Sequence, residues 1–162
     1  MSAVLSFPNP VNEKAARTVA GGVVLISLSA VLTGWMWLTV PLALGFIARV
    51  ASGPTLSPLG QLATRLIAPR LGAPKLVAGP PKRFAQAMGA VITSAAVVSY
   101  FGFGSLLVAS ALLVAIIVAA TLESVFAVCL GCMIFGWLMR AGIISDDICE
   151  ACNNISLRYS QT

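Results

Sequence analysis

Four cysteines form two closely spaced pairs, Cys129/Cys132 and Cys149/Cys152, in the pattern C-x2-C-x16-C-x2-C. Four thiolates at such a spacing are typical of a structural Zn²⁺ site or an iron–sulfur cluster. A C-x-x-C pair can instead cycle between dithiol and disulfide, and free thiols can also pack as inert, small apolar groups. The sequence leaves all three roles open for these cysteines, with zinc as the candidate cofactor. A site shared by all four requires the linker at residues 142–148 to fold back.

Glu123 is the second candidate functional residue, because it is an acidic residue flanked on both sides by charge-free runs. Such a residue in a membrane segment is a functional hypothesis by default, and proton relay is one role open to it. We expect instead a structural ion pair at the membrane interface, with a basic residue such as Arg17 or Arg83. The chain has no histidine, which removes the commonest general base and metal ligand.

The composition indicates that these residues lie in a membrane protein. Of the 162 residues, 59% are hydrophobic and 9% are charged, whereas soluble domains average about 45–50% apolar and about 25% charged residues. So few charges cannot cover a surface that faces water. This excludes an ordinary soluble enzyme, a disordered chain and a nucleic-acid-binding module.

Two long charge-free runs, at residues 18–48 and 84–122, are each too long for one membrane crossing, which takes about 20 apolar residues. Gly34 with its flanking tryptophans, and the aromatic, glycine-containing segment 100–105, predict turns at the membrane–water interface. We therefore predict helices over about 18–33, 37–50 and 84–99, and a fourth that begins near Ser105. The segment 105–140 is read as one long helix, although a fourth span followed by a fifth short segment is the alternative.

The basic residues predict the orientation of the chain. With four spans, all ten basic residues lie on one side, which the positive-inside rule makes cytoplasmic. We therefore expect a multi-pass protein of the inner (plasma) membrane with both termini in the cytoplasm, in contact with the lipid bilayer. The positive net charge of +5 then reports orientation and not nucleic-acid binding.

The connector between the second and third spans is rich in proline and contains a predicted amphipathic helix. Ser57-Pro58 is typical of a helix start, and an apolar stripe follows it, formed by Leu59, Leu62, Ala63, Leu66 and Ile67. We expect this helix to lie on the cytoplasmic leaflet as a structural anchor. Docking of a partner or an anionic lipid through the neighbouring basic residues is the second possibility.

The predicted fold is thus an all-α integral membrane four-helix bundle with an interfacial helix in its central loop and a cysteine-rich C-terminal tail. Its parts are a cytoplasmic head (1–17), a first transmembrane hairpin (18–50), the connector (51–83), a second transmembrane hairpin with a long last helix (84–141) and a cytoplasmic cysteine-containing tail (142–162).

Several runs along the chain are distinctive as sequence. They are Phe7-Pro8-Asn9-Pro10-Val11-Asn12-Glu13 with Arg17, Gly53-Pro54, Ser57-Pro58, Pro69-Arg70-Leu71-Gly72, Pro81 with Arg83-Phe84-Ala85-Gln86, and Phe126-Ala127-Val128-Cys129-Leu130-Gly131-Cys132. In these runs the chain resembles the bacterial membrane family called domain of unknown function 4395, over about residues 7–154. The resemblance implies a small multi-span membrane protein and supplies no established activity. Some relatives accompany thioredoxin-like or sulfurtransferase proteins, which favours thiol or sulfur chemistry.

Three functions follow as hypotheses. The first is a membrane thiol-redox or sulfur-relay protein that uses Cys129/Cys132, with Cys149/Cys152 as a second pair. The second is a non-enzymatic accessory or structural subunit of a larger membrane complex, in which the four cysteines hold Zn²⁺. A small-solute transporter ranks last, because the spans lack the buried polar groups that most substrate pathways need.

Overall fold

The computed structural model describes residues 7–145, and this part of the chain is mostly helical. Its α-helices are α1 (Glu13–Thr33), α2 (Thr39–Ser52), α3 (Pro58–Leu62), α4 (Gly79–Val97), α5 (Leu106–Phe126) and α6 (Leu130–Arg140). Short 3-10 turns lie at Met36–Leu38 and Ala68–Leu71, and π-helical turns lie at Ala63–Ile67 and Val98–Gly102. Two antiparallel two-residue strands, β1 (Val11–Asn12) and β2 (Leu76–Val77), join the N-terminal segment to the connector.

Local capping chemistry sets where the helices begin and end. The side chains of Asn12, Ser57 and Ser105 accept hydrogen bonds from backbone N–H groups in the first turns of α1, α3 and α5. Each bond satisfies a donor that has no partner within its own helix. Gly34 ends α1 with a φ of 72°, a conformation that glycine adopts without steric strain. The predicted turn at Gly34 and the predicted helix starts at Ser57-Pro58 and near Ser105 are therefore confirmed.

The single long helix expected over residues 105–140 is wrong, because the structure divides it into α5 and α6. The break begins at Ala127, which has a left-handed φ of 57°. Beyond it, the Cys129 thiol accepts a hydrogen bond from the Cys132 N–H and caps α6. The Arg17 guanidinium donates to the Ser124 carbonyl oxygen at 3.0 Å. A carbonyl group that the end of α5 leaves without a helical partner is thereby satisfied by a side chain of α1.

The helices pack in two pairs, α1 against α5 and α2 against α4, and a contact between α4 and α5 joins the two pairs. Helix α6 packs against α4. The core contains a few large side chains, such as Met36 and Leu113, and many buried alanines. Small residues allow helix backbones to approach closely, which is how helices associate in membranes. This packing brings the ends of α4, α5 and α6 together.

The connector differs from the predicted amphipathic helix. Its helix begins at Pro58 as expected, but the regular α-helical part ends at Leu62 and continues as a π-helical turn. The residues of the predicted apolar stripe do not all face the same surroundings. Leu59 packs against the core and Ala63 is buried, whereas Leu62 and Leu66 are exposed.

Within residues 7–145, three helices are long and apolar enough to cross a membrane. They are Glu13–Thr33, Gly79–Gly102 and Leu106–Phe126, and the apolar helices Met36–Ser52 and Leu130–Arg140 are shorter. Large apolar side chains on the long helices point outward, as Leu107 does with 82% of its surface exposed. An exposed apolar surface on helices of this length is consistent with a membrane protein.

Candidate functional site

The first cysteine pair lies at the N-terminus of α6, where the break after α5 positions it. Both thiols are free and half-buried. The Cys132 thiol donates a hydrogen bond to Cys129 Sγ, and the Cys132 backbone N–H donates to the same sulfur at 3.3 Å. A thiol at a helix N-terminus faces the positive end of the helix dipole, which stabilises its thiolate. The arrangement is a reduced dithiol whose first sulfur receives two hydrogen bonds from the second residue.

Gly131, between the two cysteines, holds α6 close to α4. A Cβ atom at this position would lie 2.5 Å from both Cα and Cβ of Ala85. Only glycine therefore fits where the two helices meet. The rings of Phe84 and Phe135 pack beside this contact with their centroids 5.7 Å apart. Because α6 begins at the dithiol, this close approach also brings the thiols to the first turns of α4.

An ion pair between α4 and α5 lies beside the dithiol. Lys82 Nζ is 2.5 Å from Glu123 Oε1, and the two side chains are only 9% and 15% exposed. The expectation that Arg17 or Arg83 pairs with Glu123 is wrong. Arg17 donates to backbone carbonyls at the end of α5. Arg83 donates to the Val50 carbonyl oxygen. The expected structural pairing of Glu123 with a basic residue does occur, with Lys82.

Lys82 is a site residue that the sequence did not single out. By its position it falls among the connector charges, although Pro80 and Pro81 precede it directly. Proline is favoured in the first turn of a helix, so this pair is a signal that a helix begins at that point. Starting α4 at Gly79 places Lys82 inside the helix and not in the connector.

The surroundings separate the pKa values of the two thiols. The hydrogen bond from the Cys132 thiol is the main cause that lowers the pKa of Cys129, and the Lys82 ammonium and the Cys132 N–H lower it further. Burial and the Glu123 carboxylate oppose this effect. The same thiol–thiol hydrogen bond, together with burial, raises the pKa of Cys132. Cys129 is therefore the thiol that ionises first and the stronger candidate nucleophile.

Two cavities adjoin Cys129. An open groove of about 420 Å³ is lined by both thiols, Lys82 and Met133. A second cavity of about 270 Å³ lies between α1, α4, α5 and α6, and Cys129 and Glu123 lie in its otherwise mainly apolar lining. Cys129 lines both spaces, so a reactant in either one is near its sulfur.

A zinc site receives only half of its ligands from the described part of the chain. Cys129 and Cys132 supply two adjacent thiols, as a C-x-x-C zinc half-site does. Within residues 7–145 no group of three or more His, Cys, Asp or Glu side chains could hold a metal ion. Cys149 and Cys152, the other predicted ligands, lie outside the described residues.

The family described as Domain of unknown function (DUF4395) has a model that matches residues 11–140. This range includes the six α-helices of the described part of the chain, the Lys82–Glu123 ion pair and the Cys129/Cys132 dithiol, and it ends before the second cysteine pair. No curated protein and no solved structure matches the chain.

Proposed function

Since the chain belongs to the DUF4395 family, whose description states no activity, we propose its function from the site itself. The Cys129/Cys132 dithiol is the reactive centre of a membrane protein that exchanges thiols and disulfides, or relays sulfur, with a partner protein. One observation carries this proposal: Cys129 caps α6 and accepts hydrogen bonds from both the thiol and the N–H of Cys132. Thioredoxin-like and sulfurtransferase proteins are the proposed partners.

In the redox reaction, the Cys129 thiolate attacks one sulfur of the partner's disulfide. A mixed disulfide forms and the partner's other sulfur leaves as a thiolate, which takes up a proton. Cys132 then loses its proton and attacks Cys129 Sγ, which releases the partner's second thiol. The partner gains two electrons and two protons, and the Cys129/Cys132 dithiol loses them. In sulfur relay, the same thiolate takes the outer sulfur of a partner's persulfide and leaves the partner as a thiol.

We place this centre at the cytoplasmic face of the inner membrane, in a four-span protein with both termini in the cytoplasm. The uneven distribution of basic residues supports this orientation. The second span is then the apolar segment Met36–Ser52. At 1.5 Å per residue it reaches about 25 Å, close to the thickness of the hydrocarbon core of about 30 Å. In this arrangement, the dithiol and the connector face the same compartment as the proposed partner.

A structural zinc site with four cysteine ligands, in an accessory subunit, is the second candidate function. The spacing C-x2-C-x16-C-x2-C favours it, because all four cysteines of the chain then have a role. Cys129, Cys132, Cys149 and Cys152 would hold the metal. The bound zinc would tie the C-terminal tail to α6.

A redox titration of the Cys149→Ser/Cys152→Ser variant tests the first function. The protein is equilibrated in glutathione buffers, and its free thiols are counted by mass after alkylation. We expect two thiols to disappear together as an intrachain disulfide forms. Adding Cys132→Ser stops the reaction at a mixed disulfide between glutathione and Cys129. The matched Cys129→Ser variant reacts more slowly, because burial still raises the pKa of Cys132 and its sulfur lacks the backbone N–H hydrogen bond that Cys129 accepts.

Two further results would contradict the proposal. Equal reactivity of the Cys129→Ser and Cys132→Ser variants would remove the assignment of Cys129 as nucleophile. One zinc per wild-type chain, lost in Cys149→Ser, would instead support the structural site. Membrane-impermeant thiol labelling of Cys149 from each side tests the orientation, and labelling from the outside alone would refute the four-span topology.

A further inference from the structure

Arg49 is a buried cation that the proposed thiol chemistry does not use. It lies in the last turn of α2 and is 5% exposed. Its Nε donates to Gln86 Oε1 at 2.9 Å, and its Nη1 donates to Ser57 Oγ at 3.1 Å. Its Nη2 is buried and has no hydrogen-bond acceptor within the described residues. The guanidinium is therefore held by two neutral side chains and lies over the Phe46 ring, with its Cζ atom 4.5 Å from the ring centroid, while both N–H groups of Nη2 lack an acceptor within the described residues.

Among residues 7–145, no carboxylate lies within ion-pair distance of Arg49. Within residues 7–145 the ion pairs are Glu13–Lys75 and Lys82–Glu123, and neither includes Arg49. Arginine keeps its proton in proteins, and a buried charge without a partner is strongly unfavourable. An anion beside Arg49 would remove this penalty and satisfy Nη2 at the same time.

A cavity of about 260 Å³ adjoins Arg49 and has the size and lining for such an anion. Arg49 and Lys82 supply positive charge to its wall, Asn12 and Thr64 supply polar groups, and none of the residues 7–145 that line it carries a carboxylate. The rest of the wall is mainly apolar and includes Phe7 and Val19. For comparison, an apolar cavity of about 150 Å³ holds benzene, so this space holds more than a bare oxyanion.

We infer that this cavity binds an amphipathic oxyanion, whose carboxylate or phosphate oxygens accept hydrogen bonds from Arg49 and whose apolar body lies along the apolar wall. This bond gives Nη2 the acceptor that it lacks among the described residues. The site is separate from the dithiol and does not depend on the proposed redox function. Gln86 and Lys82 connect the two regions, since Gln86 also lines the apolar cavity next to Cys129 and Lys82 pairs with Glu123.

The test measures thermal unfolding of the full chain in nanodiscs, followed by tryptophan fluorescence, with hexanoate as the probe. We expect hexanoate to raise the Tm in a saturable manner, and its neutral analogue 1-hexanol at equal concentration to have no such effect. Arg49→Gln is expected to weaken the apparent affinity for hexanoate at least tenfold, because a charge-assisted hydrogen bond is lost. The exposed Arg65→Gln is the matched control and is expected to respond as the wild type does.

Ala15→Leu tests the same site without altering Arg49. Ala15 is buried and lines the cavity, so a larger side chain there fills space that the apolar body needs. We expect the affinity for hexanoate to fall in this variant too. A wild-type Tm that hexanoate raises no more than 1-hexanol does, or an Arg49→Gln variant that responds as strongly as the wild type, overturns the inference. If neither variant folds, the wild-type comparison alone decides.

The source of the oxyanion is decided by native mass spectrometry of the chain purified from membranes. A co-purified phospholipid that hexanoate displaces assigns the site to a lipid headgroup. Binding of hexanoate to a lipid-free chain assigns it to a free organic anion, and both results support the inference. If hexanoate binds only after Asp146→Asn, Asp147→Asn and Glu150→Gln are combined, the chain supplies its own counter-ion and the inference is wrong.

Discussion

Replacing Gly131 with alanine inserts a methyl group where α6 meets α4. The added Cβ would lie 2.5 Å from both Cα and Cβ of Ala85, whereas carbon atoms in contact settle at about 3.5–4.0 Å. One of the neighbouring atoms belongs to the backbone of α4, so no side-chain rotation relieves the overlap. The N-terminus of α6 must therefore move away from α4 by about 1 Å.

The expected destabilisation follows from two opposing effects. Overpacking a close contact destabilises the folded state by about 1–3 kcal/mol. Exchanging a helical glycine for alanine stabilises it by about 0.5–1 kcal/mol. We expect a net loss of about 1–2 kcal/mol in the free energy of unfolding. Since Cys129 moves with α6 while Lys82 stays on α4, the pKa of Cys129 is also expected to rise.

Gly136→Ala is the matched control, because Gly136 lies in the same helix and a Cβ added to it would have nothing within 4 Å. This variant is expected to match or exceed the wild-type stability. Both variants are compared by reversible unfolding in detergent and by the pH dependence of Cys129 alkylation, in a Cys149→Ser/Cys152→Ser background. A Gly131→Ala variant that matches Gly136→Ala in both measurements would refute the packing argument.

Three further predictions concern the ionisation of Cys129, measured by its alkylation rate against pH, with a wild-type midpoint below the usual thiol value of about 8.5. Lys82→Met raises this midpoint, because the ammonium that stabilises the thiolate is removed; the exposed neighbour Arg83→Gln leaves it unchanged, and equal shifts in both would contradict the assignment. Glu123→Gln lowers the midpoint, because the carboxylate that raises the pKa of Cys129 is removed. It also leaves Lys82 without its counter-ion, which lowers the free energy of unfolding by about 3–5 kcal/mol in thermal unfolding. A raised midpoint would contradict the assigned effect of the carboxylate on Cys129. Cys132→Ala raises the midpoint, since Cys129 loses its main hydrogen bond, and an unchanged midpoint would exclude the thiol–thiol bond as the cause.

The features that the sequence alone determined are those that depend on composition or on residues close together along the chain. The low charge content predicted an apolar membrane protein. The capping residue Ser57 and the turn at residues 100–105 predicted two helix starts. The distinctive runs predicted the family. Capping bonds join residues within one helical turn, so their partners can be read directly from the order of residues. The C-x-x-C pair was visible for the same reason.

Only the tertiary structure decided which distant groups meet. Lys82 and Glu123 are 41 positions apart, and their pairing follows from how α4 packs against α5. The break before α6 involves Arg17, which is 107 positions away from the Ser124 carbonyl that it satisfies. In the local sequence, residues 105–140 contain no strong helix-breaking signal, so an uninterrupted helix is the natural expectation. Side chains from other helices stabilise the break, and that break places Cys129 at a helix N-terminus beside Lys82.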